Sequence, residues 1–279
     1  MPKALPHAVY PLFRILITGV LFALPGNLLA QTSIVTASNP TAVALASQAL
    51  QAIAGGTALS DITIQATANY VAGSDQETGT ATLVALGNAQ SLVTLNLSGG
   101  QRQDIRNGIA GVYIGPDGIA HAMATHNCFI DANWYFPPLS LAALATDPTQ
   151  IITLVGQQVY EGHQVYHLTL FHYLGTQSPG IVALVERVSA LDLYLDATTF
   201  QPVALDFNIH PNNDAGTNIP AEIRFGAYQQ FNGVWAATRI QKYVQNTLLL
   251  DLTVTGVAVN SGVSASVFTL PTVSGGGAQ

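Results

Sequence analysis

Leu191-Asp192-Leu193-Tyr194-Leu195-Asp196, and after Thr198-Thr199 the run Val203-Ala204-Leu205-Asp206-Phe207-Asn208-Ile209-His210, set one apolar row against one polar row. Side chains two apart share a face of a strand, so Leu191, Leu193 and Leu195 lie on one side with Val203, Leu205, Phe207 and Ile209, while Asp192, Tyr194 and Asp196 lie on the other. Such segments build a sheet with one greasy and one wet face. The alternation runs on to Phe268-Thr269-Leu270-Pro271. Four strands are expected in this last third, with turns at residues 211–217 and at Asn232-Gly233.

Upstream the same grammar holds with one helix in front of it. Asn39 suits an N-cap, Pro40 the first helical turn and Gly55-Gly56 a stop, with Val43, Ala46, Leu50 and Ile53 as the apolar stripe between them. Ile62, Ile64, Ala66 and Ala68 then alternate with Thr63, Gln65, Thr67 and Asn69. Further strands fit residues 80–86 and 92–97, and Gly99-Gly100, Asn107-Gly108 and Pro116-Asp117-Gly118 mark turns. Periodicity breaks over His126–Pro138, which holds the only cysteine, Cys128, and the cluster Trp134-Tyr135-Phe136. A short helix fits residues 139–145. Residues 151–160 and 164–173 form a hairpin about Glu161-Gly162, and residues 181–187 fit either a helical turn or a loop.

The first thirty residues read as a secretory signal: Lys3 and Arg14, then an apolar run over residues 15–24, then a cleavage site near Ala30. That run is half the length of roughly twenty residues needed to cross a bilayer, and no later run is long enough. The expected organisation is a signal peptide at 1–30, a single domain over 31–273 and a disordered tail at 274–279. Loss of Lys3 and Arg14 leaves six of the eight basic residues against fifteen acidic ones, a formal net charge of −9. Nucleic acid is excluded as a partner on that balance. One cysteine forbids an internal disulfide even where the compartment allows one.

Leu193-Tyr194-Leu195-Asp196-Ala197-Thr198-Thr199, Glu222–Tyr228 with Phe231-Asn232-Gly233-Val234, and the closing Val259-Asn260 with Phe268 and Pro271 resemble the periplasmic lipoprotein-carrier and lipoprotein-localisation-factor (LolA/LolB-like) superfamily. The likeness covers about two-thirds of the chain after the signal. It implies an α+β fold, a curved antiparallel sheet forming an incomplete β-barrel closed by a few helices, with an apolar cavity that in the carriers receives acyl chains. The chain exceeds a typical carrier around residues 126–138 and 173–187, and none of the carriers' functional residues finds a match.

Leu193, Leu195, Leu205, Phe207, Phe225, Leu250 and Leu252 are the candidates to line such a cavity, or else plain core. Trp134, Tyr135 and Phe136 are candidates for its mouth, since adjacent aromatics in a non-periodic segment cannot all enter one core. No metal site is expected: Glu161, His163 and His167 share a strand face, but the two histidines stand about 13 Å apart along it. His126, Cys128 and Asp131 carry the residue types of a thiol hydrolase, a minority reading beside a buried, inert cysteine. No nucleophile elbow, phosphate loop or cofactor motif is present, and neither catalysis nor a cofactor is expected. Three classes remain: an envelope protein that shelters a lipid or an acylated protein by burial rather than charge, an envelope interaction or sensor domain with its cavity filled, and the hydrolase.

Overall fold

Asn39 caps the first helix as its chemistry demands: its side-chain oxygen accepts from the Ala42 amide at 3.0 Å, and Gly55 ends the helix in the left-handed region at φ 58. The computed structural model describes residues 35–273; the expected signal at 1–30 and tail at 274–279 lie outside the described residues. This helix, α1 (Pro40–Ala54), buries Ala42, Leu45, Ala46, Ala49 and Ile53. Val43, expected on the apolar stripe, is instead 40% exposed. The stripe is rotated because alanines, which let the backbone approach its neighbours closely, occupy the buried side.

The strands are β1 (Asp61–Ala72), β2 (Asp75–Leu86), β3 (Gln90–Leu97), β4 (Gly100–Asn107), β5 (Ala110–Ile114), β6 (Ala120–Ala122), β7 (Gln150–Tyr160), β8 (His163–His172), β9 (Leu191–Asp196), β10 (Pro202–Ile209), β11 (Ile219–Phe231), β12 (Val234–Val244) and β13 (Thr247–Val259). They form one antiparallel sheet in the order β6-β5-β4-β3-β2-β1-β13-β12-β11-β10-β9-β8-β7. Two meanders, 61–122 and 150–259, thus meet where β1 pairs with β13. The last third holds five strands rather than the four expected. Gln245 and Asn246, both at positive φ (50 and 60), make a tight turn inside what the alternation reads as one strand.

The sheet is not closed into a barrel; it is an open half-barrel. Register shifts at Gln65/Ala66, Pro202/Ala204, Leu154/Gly156 and Lys242/Tyr243 bend its strands. The inner face carries Ile62 and Ile64 of β1, Leu83 of β2, Leu252 of β13, Ile240 of β12, Ile223 of β11, Leu205 of β10, Leu193 of β9 and Leu168 of β8, each no more than 3% exposed. On that face lie α1 and α2 (Pro138–Ala143), packed on each other, with α1 also against β7 and β12. The undecided segment near residue 181 is a helix, α3 (Pro179–Ser189), with Val182, Val185 and Val188 buried and its body against β8.

Several residues that carry the family resemblance are latches. Asp196 accepts from the amides of Thr198 and Thr199 at 2.9 and 2.8 Å, holding the β9–β10 turn. Asn260 accepts from the Ser60 amide at 2.8 Å and donates to the Ala58 carbonyl at 2.6 Å, while Asp61 accepts from the Ser261 amide at 2.8 Å. Those bonds knit the two ends of the domain. Phe268, fully buried, belongs to a short 3-10 turn packed against β3 and β4.

Candidate functional site

The inner face is mostly apolar; polar side chains enter it at the β7–β8 end, where Gln150 and His172 bond Asp131, and, with unpaired charges, at β4 and β12. Following the directly paired residues across β1, β2, β3 and β4 from Ile64 gives Leu83, Val93 and then Asp104. Arg102, Asp104 and Arg106 therefore point inward, and Ile105 outward. Across the sheet Lys242 of β12, opposite Leu250 of β13 and Ile223 of β11, also points inward. Trp134, from the non-periodic segment, lies against it, with the Lys242 ammonium 4.8 Å from the ring centroid.

These groups border a recess of about 180 Å³, walled by Val93, Leu95, Leu249, Leu250, Trp134, Tyr70 and Tyr113 and by the charged Arg102, Asp104 and Lys242. Arg102 is held by Glu77 through two bonds of 3.0 and 2.6 Å and lies over the Tyr70 ring. Arg106 donates to the carbonyls of Cys128 and Ile130 at 2.6 and 2.7 Å, tying the Trp134 segment to the sheet. Depth in the protein lowers the Lys242 pKa and raises that of Asp104, each by penalising the charged form. Both side chains nonetheless stay partly open to the recess.

The expected lining residues divide. Trp134 and Leu250 border the recess. Leu193, Leu195, Leu205, Phe207, Phe225 and Leu252 belong to the continuous core, and the void beside Leu193 and Leu205 amounts to about 10 Å³. Tyr135 and Phe136 are buried in the same core rather than at a mouth, so of the three adjacent aromatics only Trp134 reaches open space. Asp104 and Lys242 escape a sequence reading that assigns every strand charge to the wet face. Parity is the signal that could have found them, since Lys242 is in step with Ile240, and Asp104 out of step with Ile105.

His126, Cys128 and Asp131 are not brought together. The His126 ring meets the Pro211 carbonyl at 2.9 Å, Asp131 takes Gln150 at 2.9 Å and His172 at 3.4 Å, and burial pushes the Cys128 thiol up. Cys128 and Asp131 do border a common hollow of about 370 Å³ with His172, but no histidine nitrogen is hydrogen-bonded to the thiol. Glu161, His163 and His167 turn to separate partners: Arg224 at 2.7 Å, Asp196 at 3.6 Å and Asp192 at 2.9 Å. Among the described residues no group of three or more ligand-type side chains is placed to hold a metal. A larger trough, about 820 Å³, lies between the β7–β8 turn and β11–β12, but its arginines are already paired, Arg224 with Glu161 and Glu222 and Arg239 with Asp251. Its walls mix Val203, Phe225 and Trp235 with polar groups and offer no unpaired charge, so the smaller recess is the better candidate.

No family model matches the chain, and no curated protein does. Among solved structures, a LolA superfamily protein from Nitrosomonas europaea superposes with a TM-score of 0.51 at 12% identity, over 82% of this chain and 97% of that one. A DUF1329 family protein from Desulfovibrio piger follows with a TM-score of 0.49 at 10% identity, over 82% and 96%. The first likeness defines the class: this is a divergent LolA-like fold.

Proposed function

We propose that this is an exported cell-envelope protein that binds the apolar part of a lipid, or of an acylated protein, on the inner face of its half-barrel at the recess beside Trp134 and Leu250. The observation that carries the reading is the recess itself, the place where an otherwise packed inner face opens onto apolar walls. The LolA-like fold supports it, as does the apolar side of the sheet. Among the described residues no helix is long and apolar enough to cross a membrane. An envelope protein partner that delivers or receives the ligand belongs to the same proposal.

The size of the recess limits what burial alone can hold. Counting about 30 Å³ for a methylene, the share of a water in the liquid, it admits about six. At about 0.8 kcal/mol each they contribute about 5 kcal/mol before the cost of immobilising the ligand, which is a millimolar site at best. The filled half-barrel acting as an interaction or sensor domain is the second reading, favoured by the void of only about 10 Å³ beside Leu193 and Leu205. Native mass spectrometry of protein purified from a bacterial periplasm without detergent separates the two. A stoichiometric lipid or acylated species released on denaturation is expected. A clean apo mass that also fails to take up added fatty acid or phospholipid would overturn the proposal in favour of the filled form.

A further inference from the structure

Charged side chains are scarce in this chain, 8% of residues, and among the described residues nearly every cation is matched. Arg102 pairs with Glu77, Arg224 with Glu222 and Glu161, Arg239 with Asp251; Arg106 binds two carbonyls, and Arg187 binds Asn218 and the Ala215 carbonyl. Lys242 is the exception. Among the described residues no carboxylate oxygen comes within 4.0 Å of its ammonium and it makes no hydrogen bond; the Trp134 ring is its only polar contact. Asp104 is its counterpart, a carboxylate with no ion pair and no side-chain hydrogen bond among the described residues. The two enter the same recess from opposite sides, β12 and β4, and stand more than 4.0 Å apart.

A charge held deep in a protein without a partner costs several kcal/mol, and two opposite ones a short distance apart would relieve that cost simply by touching. Here they are held apart with a space between them. A free fatty acid would satisfy Lys242 and set a second negative charge beside Asp104; a simple cation would do the reverse. A group carrying both signs satisfies both.

We propose that the recess recognises the zwitterionic head of an amphiphile, an ammonium joined to a phosphate, with the phosphate on Lys242 and the ammonium on Asp104. The proposal rests on the apolar-ligand reading above and deepens it: Lys242 and Asp104 take the head while the walls of Val93, Leu95 and Leu250 take only the first methylenes of the chain, so that head-group capture supplies affinity that burial alone does not. Burial lowers the Lys242 pKa and raises that of Asp104, each disfavouring the charged form, so a counter-charge brought to either one restores it. The Lys242–Trp134 contact fits the same role, since an aromatic face steadies the ammonium without neutralising it.

The test uses the chain with Trp235→Phe, which leaves Trp134 as the only tryptophan and lies outside the recess. Trp134 emission is followed during titration with dioctanoyl phosphatidylethanolamine and dioctanoyl phosphatidylglycerol, identical in their chains and differing in the head. The zwitterionic lipid should bind on the order of tenfold tighter. Asp104→Asn should remove that preference and bring the anionic lipid level with or ahead of the zwitterionic one, whereas Lys242→Met, which loses the phosphate contact common to both lipids, should weaken both and leave the preference in place. Circular dichroism melts confirm that each variant folds, and the preference of the parent protein decides the matter even if a variant does not. Equal binding of the two lipids by the parent overturns this inference and leaves the apolar-ligand reading standing. Failure of both lipids to bind overturns the two together.

Discussion

Asp192, Asp206 and Glu222 stand abreast on the outer face, Asp206 being directly opposite Asp192 on β9 and Glu222 on β11. Like charges opposed across strands repel, and the middle one bears most of it. One oxygen of Asp206 is buried with no hydrogen-bond partner. Burial first, then the Glu222 charge, raises its carboxyl from the ordinary 3.8 to about 6, although the Tyr194 hydroxyl donates to it. The folded protein therefore holds this proton more tightly than the unfolded chain does. The penalty is absent below about pH 4, grows as pH rises between 3.8 and about 6, and is full above that. A difference of that size corresponds to about 3 kcal/mol, and solvent screening of a side chain this open halves it to about 1.5 kcal/mol. Asp206→Asn should accordingly raise the unfolding free energy by about 1.5 kcal/mol at pH 7.5 and by no more than about 0.3 kcal/mol at pH 4. Urea unfolding of variant and parent, followed by circular dichroism at both pH values, measures this. A variant no more stable than the parent at pH 7.5, or a gap of equal size at pH 4, would refute the reasoning.

Leu193→Ala, at a side chain 1% exposed in the middle of the inner face, should cost about 3–4 kcal/mol in urea unfolding; a loss under about 1 kcal/mol would mean the core there can collapse or was never tight. Gly79→Ala puts a Cβ 1.9 Å from the Asn96 carbonyl oxygen, a backbone atom that cannot step aside, so a loss of at least about 3 kcal/mol is expected and an unchanged melting temperature would contradict the β2–β3 register. Asn260→Ala removes the bonds to Ser60 and Ala58 and should lower stability by about 1–2 kcal/mol, with amide exchange accelerated at the start of β1; unchanged exchange there would show the latch to be ornamental. Trp134→Ala should weaken uptake of phosphatidylethanolamine by about tenfold in native mass spectrometry while leaving the fold intact, and unaltered uptake would place the ligand elsewhere.

Where leucine alternates with aspartate, the sequence was easy to read: β9 and β10 lie where the pattern puts them, with Leu193 and Leu205 inward. β4 gave no such signal, because its inward residues are Arg102, Asp104 and Arg106, and a strand that turns charge toward the interior imitates a polar loop. The same physics hid the site. Its charged groups, Asp104 and Lys242, lie on strands 138 positions apart and meet only through the curl of the sheet, and both break the rule that made the rest legible. In α1 the buried face went to alanines rather than to the larger Val43, a choice set by how near the helix comes to the strands, which no hydrophobicity pattern encodes. α3 carried a readable repeat in Val182, Val185 and Val188, but its glycine and its brevity kept it ambiguous with a loop.

The pairing of β1 with β13 has a consequence for how the molecule can be assembled. Ile62 and Val259 are neighbours in the sheet, so the seam at its centre cannot close until nearly the whole domain is present. Each meander can form from its own local hairpins, but until β13 docks both present raw inner edges, hungry for any strand that passes. Losing the final strand would not trim a border; it would split the sheet down the middle. For the folding chain, the hazardous interval is the wait for that last strand to reach the seam.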